Sequence, residues 1–190
     1  MSTEEKPEPG PQSVTGARIN KGLVIVNTGN GKGKTTAAWG TVTRALGYGY
    51  KVGVIQFIKG LWECGERERL NDDTNLEVAI MATGFTWDTQ NRESDTQACQ
   101  EVWQEARRML EDPEFYLVVL DEITYMMKYG YLDSAEVISA LENRPTEQTV
   151  IITGRNANRE VVAMADTVTE MQETRHAFNA GLKARRGIDF

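Results

Sequence analysis

The feature that most restricts how this chain can fold is the stretch NTGNGKGKTTAAWG, from Asn27 to Gly40. It nearly matches the phosphate-loop pattern G-x-x-x-x-G-K-[ST], with Gly33, Lys34 and Thr35 at the last three positions and Thr28 at the first glycine position. An apolar segment of strand length precedes the stretch and a helical pattern follows it. Such a strand, loop and helix order predicts an α/β fold in which the loop binds phosphate groups.

Apolar, β-branched segments alternate with helical patterns along the rest of the chain. Because these segments are apolar throughout, they are predicted to be strands of a sheet that is covered on both faces. The alternation indicates right-handed crossovers and a mostly parallel central sheet with helices on both faces, as in P-loop NTPases, with ligands at the carboxyl ends of the strands. The predicted strands are 22–27, 51–58, 75–81, 116–121 and 149–154, with a further one at 166–172.

Three apolar stripes at helical spacing lie between the predicted strands. The first is closed by Gly47 and Gly49, and the third is stopped by Pro145. The second is predicted to begin with a capping box, in which Ser94 is the N-cap and Gln97 follows three residues later. The stripes consist of Ala38, Val42, Ala45 and Leu46; Cys99, Val102, Trp103, Ala106 and Leu110; and Val137, Ile138 and Leu141.

The length of 190 residues suits one well-buried domain, predicted at 19–190. Residues 1–18 are rich in proline, glycine and acidic side chains and contain almost nothing large and apolar. Such a segment buries too little surface to offset its ordering entropy, which predicts a flexible tail. The alternative is an arm that becomes ordered over a site or over a partner subunit.

Charge and cysteine content limit the classes of partner and the compartment. The net charge of −7 argues against nucleic acids and anionic membranes as partners. Cys64 and Cys99 are the two cysteines, and their spacing suggests neither a disulfide framework nor a thiolate metal site. No apolar run is long enough for a membrane helix, and no signal peptide is recognisable at the N-terminus. We therefore expect a cytoplasmic protein.

The loop supplies the candidate nucleotide-binding residues. Its glycines allow the backbone to turn with amide N–H groups pointing inward, and the helix that follows adds its positive end. Lys34 is the candidate catalytic cation for the terminal phosphates, and the Thr35 hydroxyl is a candidate ligand for Mg²⁺, with Mn²⁺ as a possible substitute. The full set of predicted binding residues is Gly29, Asn30, Gly31, Lys32, Gly33, Lys34, Thr35 and Thr36, together with Arg155 after the fifth strand.

Asp121 and Glu122 end the apolar segment LVVLDE and are the candidate carboxylates of the site. In hydrolases and kinases, the glutamate at such a position often activates the attacking group. The alternative is that one carboxylate serves the metal ion while the other caps the following helix. Residue order alone does not assign the two functions.

Six segments together resemble one family of enzymes. They are TGNGKGKTTAA, GVIQFIKG, MATGFTW, VVLDEITY, TVIITGR and the terminal pattern HAF-AG-KA-RGID. In this order they resemble the P-loop type of cob(I)alamin adenosyltransferases, also called corrinoid adenosyltransferases, from about residue 20 to residue 190. The phosphate loop alone is shared by many nucleotide-binding proteins, so the resemblance depends on its combination with ATGFTW.

The resemblance implies a transferase that attaches the 5′-deoxyadenosyl group of ATP to Co(I) of a reduced corrinoid and releases triphosphate. It also implies that the nucleotide lies in the loop with reversed polarity, so that the triphosphate is the leaving group. Under this reading Thr35 and Glu122 hold the metal ion. The Co(I) nucleophile carries no proton, so Glu122 is not needed as a base.

Phe85 and Trp87 stand two residues apart after the third predicted strand, a spacing that points both rings to one side of an extended segment. The residues alone favour two core aromatics, whereas the resemblance implies an apolar wedge below the corrin that displaces its axial base. His176 is the one histidine and is disfavoured as a replacement ligand. Lys59 is a further candidate for the phosphates, and Asn91 and Arg92 are candidates for the border of the corrin site.

The resemblance further implies a homodimer, an N-terminal segment that folds over the corrinoid, and an external electron donor such as a flavoprotein. Two other functions stay open on the residues alone. One is an ATP hydrolase or small-molecule kinase that uses Asp121 and Glu122. The other is a nucleotide-switched binding module without catalysis.

Overall fold

The structure is a computed structural model that describes residues 20–58, 63–81 and 92–189. Its six strands form one sheet in the order β3-β2-β4-β5-β1-β6, and every pairing in that sheet is parallel. The predicted α/β fold and the sixth strand are thereby confirmed. The strands are β1 Val24–Thr28, β2 Lys51–Gln56, β3 Leu76–Ile80, β4 Phe115–Asp121, β5 Thr149–Thr153 and β6 Thr167–Glu170.

Helices follow most of the strands. None of those in the described ranges combines the length and apolar character that crossing a membrane requires. They are α1 Lys34–Gly47, α2 Gly65–Leu70, α3 Arg92–Glu111, α4 Ile123–Lys128, α5 Ser134–Asn143, α6 Arg159–Met164 and a 3-10 helix at Ala177–Ala180.

The central strands β1, β2, β4 and β5 are largely buried on both faces, as the continuous apolar runs predicted. Successive residues of β4 show this directly, since Leu117 and Val119 pack with the α1 side chains while Val118 and Leu120 pack with those of α3 and α5. Side chains alternate between the two faces of a strand, so a strand covered on both sides must be apolar at every position. The two layers of helices hold the sheet between them.

The predicted start of α3 is wrong. The helix begins at Arg92, so Ser94 lies in its first turn and is not its N-cap. The Arg92 side chain donates a hydrogen bond to the Tyr129 carbonyl oxygen at 3.2 Å, and its guanidinium lies 5.9 Å from the centre of the Tyr131 ring. These contacts anchor the first turn from a distant part of the chain.

The other predicted helix ends are confirmed. α1 ends at Gly47 and is followed by Gly49 with φ of 77°, and α5 ends at Asn143, before Pro145. Because all strands are parallel, their carboxyl ends lie along one edge of the sheet. The register pairs Asn27 with Thr153 and Gln56 with Asp121, which brings the polar strand ends together at this edge.

Candidate nucleotide-binding site

The phosphate loop turns the chain from β1 into α1. Gly33 is the residue before the helix, and its φ of 116° lies in a region that side chains with a Cβ rarely adopt. The helix therefore starts at Lys34, as predicted, and its first N–H groups point toward the loop. A helix N-terminus of this kind attracts anions through these N–H groups and through the helix dipole.

Lys34 lies within the loop with 7 % of its surface exposed. Its Nζ donates a hydrogen bond to the Gly31 carbonyl oxygen at 2.7 Å. Burial lowers the pKa of Lys34; the negative charges of Glu122 and Asp121 oppose this shift, and the positive charge of Arg155 adds to it. The structure therefore brings the predicted lysine, both predicted carboxylates and the predicted arginine into one electrostatic group.

Thr35 and Asp121 are linked directly. The Thr35 hydroxyl donates to Asp121 Oδ1 at 2.9 Å, and the Thr153 hydroxyl donates to the same oxygen at 2.7 Å. Since an ionised carboxylate only accepts hydrogen bonds, the Thr35 proton is committed to Asp121 and the lone pairs of its oxygen remain for another partner. Sequence reasoning missed Thr153, which required the β4 and β5 register to be known.

Glu122 has an unusual backbone conformation between β4 and α4. Its φ of 64° places a residue other than glycine in the left-handed region, and its N–H donates to the Thr153 hydroxyl at 2.9 Å. Such a conformation costs about 1 to 3 kcal/mol and often marks a functional position. Its side chain lines the same cleft as the phosphate loop.

The cleft has a volume of about 1090 Å³, at the upper end of the range for small-molecule sites. The loop from Asn30 to Thr36 forms one wall, and Glu122 and Arg155 also line the cleft. Gly29 precedes these residues in the loop and has a φ of 92°. The predicted nucleotide-binding residues are thus assembled in one place.

The terminal segment packs against the phosphate loop, a contact that sequence reasoning missed. The Gly31 N–H donates to the Met171 carbonyl oxygen at 2.6 Å, so this amide is an exception to the predicted inward-facing cradle. The Lys32 ammonium lies 2.9 Å from Asp189 Oδ1. β6 lies beside β1, so Met171, which directly follows β6, lies next to the phosphate loop.

His176 also lines the cleft, where its Nδ1 accepts a hydrogen bond from the Phe178 N–H at 3.2 Å. Arg92 lies at the start of α3 against Tyr129, as described above. The other residues predicted for the corrin end, together with the predicted phosphate contact Lys59, lie outside the described residues. These are Phe85, Trp87, Asn91, Lys59 and the tail at 1–18.

Comparison with known proteins agrees with the resemblance seen in the sequence. A family model described as "ATP:corrinoid adenosyltransferase BtuR/CobO/CobP" matches residues 20–190. The corrinoid adenosyltransferase of Escherichia coli K12 is 59 % identical over 177 residues, which cover 93 % of this chain and 90 % of that protein. Corrinoid adenosyltransferase CobA of Salmonella typhimurium LT2 is 58 % identical with the same coverage.

A more distant relative gives the same result. The corrinoid adenosyltransferase of Pseudomonas aeruginosa PAO1 is 44 % identical over 182 residues, covering 94 % of this chain and 89 % of that protein. The residues that the family model matches include the phosphate loop, both carboxylates and the terminal segment that packs on the loop. The chain belongs to the ATP:corrinoid adenosyltransferase family.

Proposed function

We propose that this chain transfers the 5′-deoxyadenosyl group of ATP to the Co(I) of a reduced corrinoid, in adenosylcobalamin biosynthesis and salvage. The cobalt electron pair forms the bond to the 5′-carbon, and the carbon–oxygen bond breaks with its electrons going to the triphosphate. The observation that carries the proposal is the phosphate cleft, formed by Lys34, Arg155 and the start of α1, in a chain of this family.

The cleft suits a triphosphate that departs with increasing negative charge. Lys34 is buried beside the loop, and Arg155 lies near enough to lower the pKa of Lys34. Fixed positive groups in a cleft stabilise developing charge strongly because they need not reorient during the reaction. Lys32 can contribute once its contact with Asp189 is exchanged for a phosphate oxygen.

The residues present also fit a Mg²⁺ or Mn²⁺ ion. The Thr35 oxygen retains lone pairs because its proton is committed to Asp121, and the Glu122 carboxylate lines the same cleft. Mg²⁺ usually takes few protein ligands and completes its shell with water and phosphate oxygens. Bound by Thr35 and Glu122, the ion supplies further charge neutralisation for the triphosphate.

At the cobalt end, Phe85 and Trp87 are proposed to exclude the axial base from the lower face of the corrin. An axial nitrogen donates electron density to cobalt, so its removal makes reduction to Co(I) easier. The motif ATGFTW of the family resemblance supports this assignment. The position of His176, bonded to the Phe178 N–H, is consistent with displacement of the base without a replacement.

Several broader assignments belong to the same proposal. We place the catalytic domain at 19–190 after a tail at 1–18 that orders over the corrinoid, and we expect a homodimer that receives electrons from a flavoprotein. Cys64 and Cys99 are buried and reduced, which supports a cytoplasmic location.

The products of the reaction test the proposal against ATP hydrolysis, which the Asp121 and Glu122 pair also permits. Purified protein is incubated with ATP and Mg²⁺, with and without chemically reduced cobalamin, and the phosphates are separated by ion-exchange chromatography. We expect triphosphate and an adenosylated corrinoid in equal amounts, and only when reduced cobalamin is present. Release of ADP and phosphate without a corrinoid would instead identify a hydrolase.

A further inference from the structure

A chain of side-chain hydrogen bonds joins α2 to the phosphate loop. Arg67 Nη1 donates to Gln56 Oε1 at 2.9 Å, and Gln56 Nε2 donates to Asp121 Oδ2 at 3.5 Å, which is long for such a bond. The other oxygen of Asp121 accepts from Thr35 at 2.9 Å. The chain from Arg67 through Gln56 and Asp121 to Thr35 is called the α2 relay below.

The α2 relay has one consistent direction. A guanidinium only donates and a carboxylate only accepts, whereas the amide of Gln56 does both. The Gln56 oxygen must therefore face Arg67 and its nitrogen must face Asp121, which fixes the amide orientation from its partners. Each hydrogen bond of the relay thus joins one donor to one acceptor. The Thr35 hydroxyl proton is directed at Asp121.

Packing alone does not explain a glutamine at position 56. It is fully buried at the end of β2, next to its register partner Asp121, whose carbonyl oxygen accepts the Phe57 N–H at 3.1 Å. Burying an amide without partners costs about 1 to 3 kcal/mol, so an apolar side chain would serve packing better. The hydrogen bonds to Arg67 and Asp121 distinguish this side chain from an apolar one.

We propose that Gln56 and Arg67 are positioning residues for the metal–nucleotide complex. They hold the Asp121 carboxylate so that the Thr35 proton points away from the cleft and the Thr35 oxygen faces it. The inference rests on the metal and nucleotide part of the proposed function. It adds a connection to the opposite wall, because Cys64, Glu66 and Arg69 at α2 line the cleft.

This connection has a mechanical consequence. Arg67 is half-buried on a short helix, so a shift of α2 moves the donor that orients Gln56. Outer partners of metal-binding side chains commonly change metal affinity by about 10-fold to 100-fold when they are removed.

The test compares Arg67→Met with Arg67→Lys by isothermal titration calorimetry of ATP, once with Mg²⁺ and once with EDTA. We expect Arg67→Met to weaken Mg–ATP binding about tenfold and to change binding of metal-free ATP by less than about twofold. Arg67→Lys keeps one cationic donor and should recover part of the loss. The melting temperature of each variant establishes that the fold is retained.

Arg107→Met is the control, since it removes the same charge from α3, at a position outside both the cleft and the relay. It should change the two ATP affinities by the same factor. Gln56→Leu breaks the relay at its centre and should reproduce the selective loss; if this variant does not fold, the Arg67 pair decides. A loss shared equally between metal-bound and metal-free ATP in Arg67→Met, or no loss in either, overturns the proposal.

The binding measurement requires no corrinoid. Failure to adenosylate cobalamin would contradict the proposed function. The relay is tested separately, by the affinities for metal-bound and metal-free ATP. The decisive quantity is the ratio between the Mg–ATP and metal-free ATP dissociation constants.

Discussion

Lys34 combines two properties at the scale of a single residue, a positive charge and near-complete burial. Burial lowers the pKa of Lys34 below that of an ordinary lysine, although Glu122 and Asp121 favour the charged form. A triphosphate placed in the cleft adds negative charge and therefore raises the pKa of Lys34 again. Nucleotide binding and protonation of Lys34 are thus linked.

The sign of this linkage gives a prediction. In the free protein Lys34 loses its proton at a lower pH than an ordinary lysine. Above that pH, ATP binding requires Lys34 to take up a proton. ATP affinity should therefore fall toward alkaline pH, with proton uptake on binding. Calorimetry at about pH 7 and about pH 9.5, in two buffers of different ionisation enthalpy, measures both effects.

Lys34→Ala supplies the matching variant. It should lose the alkaline proton uptake and lower kcat/KM by about 100-fold or more, as expected when a main donor to a developing anion is removed. Affinity that stays constant between about pH 7 and about pH 9.5 in the unaltered protein would show that Lys34 does not titrate with ATP binding.

Gly154 is predicted to tolerate no side chain. Its φ is 137°, and a Cβ would lie 1.9 Å from Thr124 Oγ1, the group that donates to the Arg155 carbonyl oxygen at 2.9 Å. Gly154→Ala should lower the free energy of unfolding by about 2 kcal/mol or more and weaken ATP binding, because Arg155 loses its support. Chemical denaturation and ATP titration measure the two effects.

Gly40→Ala is the control for this substitution. Gly40 lies in α1 with nothing within 4 Å of an added Cβ, so alanine should stabilise the protein by about 0.5 to 1 kcal/mol. Equal stability changes in the two variants would contradict the steric argument for Gly154.

Local sequence patterns identified the residues of the cleft that lie close together in the chain. The loop from Asn30 to Thr36 carries its own pattern, and Glu122 follows a recognisable strand end. Gln56 and Asp189 lie in the segments GVIQFIKG and RGID, but their contacts are set by strand register and by the path of the terminal segment. The sequence therefore predicted side chains that line the cleft and missed the contacts that hold them in place.

At the scale of elements, the strands that are buried in the structure were the ones most readily predicted from the sequence. Strands β1, β2, β4 and β5 are largely buried, so their apolar character was visible in the sequence. The start of α3 was mispredicted because Arg92 is anchored by Tyr129 and Tyr131, which lie far away in the chain. A local capping pattern at Ser94 could not compete with that tertiary contact.

The terminal segment is an element whose effect on the site can be measured. Asp189 contacts Lys32, and its pKa is lowered by the Arg185 N–H that it accepts and by Lys32. Asp189→Asn should release Lys32 and tighten ATP binding by about threefold at low ionic strength, in line with the modest strength of exposed ion pairs. The gain should shrink in about 0.5 M salt.

Lys32→Met provides the second half of this experiment. In that background, Asp189→Asn should no longer change ATP affinity, because the ion pair is already lost. Weaker ATP binding by Asp189→Asn in the otherwise unaltered chain would instead show that Asp189 contacts the nucleotide or its metal ion.

At the scale of the whole molecule, the parallel sheet places the carboxyl ends of β1 and β3 at one edge. The phosphate loop follows β1, while the segment with Phe85 and Trp87 follows β3, four strand positions away in the sheet order. At about 4.8 Å per strand, the two starting points are separated by about 19 Å, with the ends of β2, β4 and β5 between them.

The last prediction concerns whether the aromatic segment tunes the metal or merely holds the substrate. Phe85→Ala and Trp87→Ala should lose far more activity when the enzyme must start from cob(II)alamin and a reductant than when chemically prepared cob(I)alamin is supplied. The reason is that the axial base opposes reduction but no longer matters once Co(I) is formed. Electron paramagnetic resonance of cob(II)alamin bound with ATP should show a four-coordinate signal in the unaltered protein and a weaker one in each variant. Equal losses in the two assays, with the four-coordinate signal intact, would assign both rings to substrate positioning.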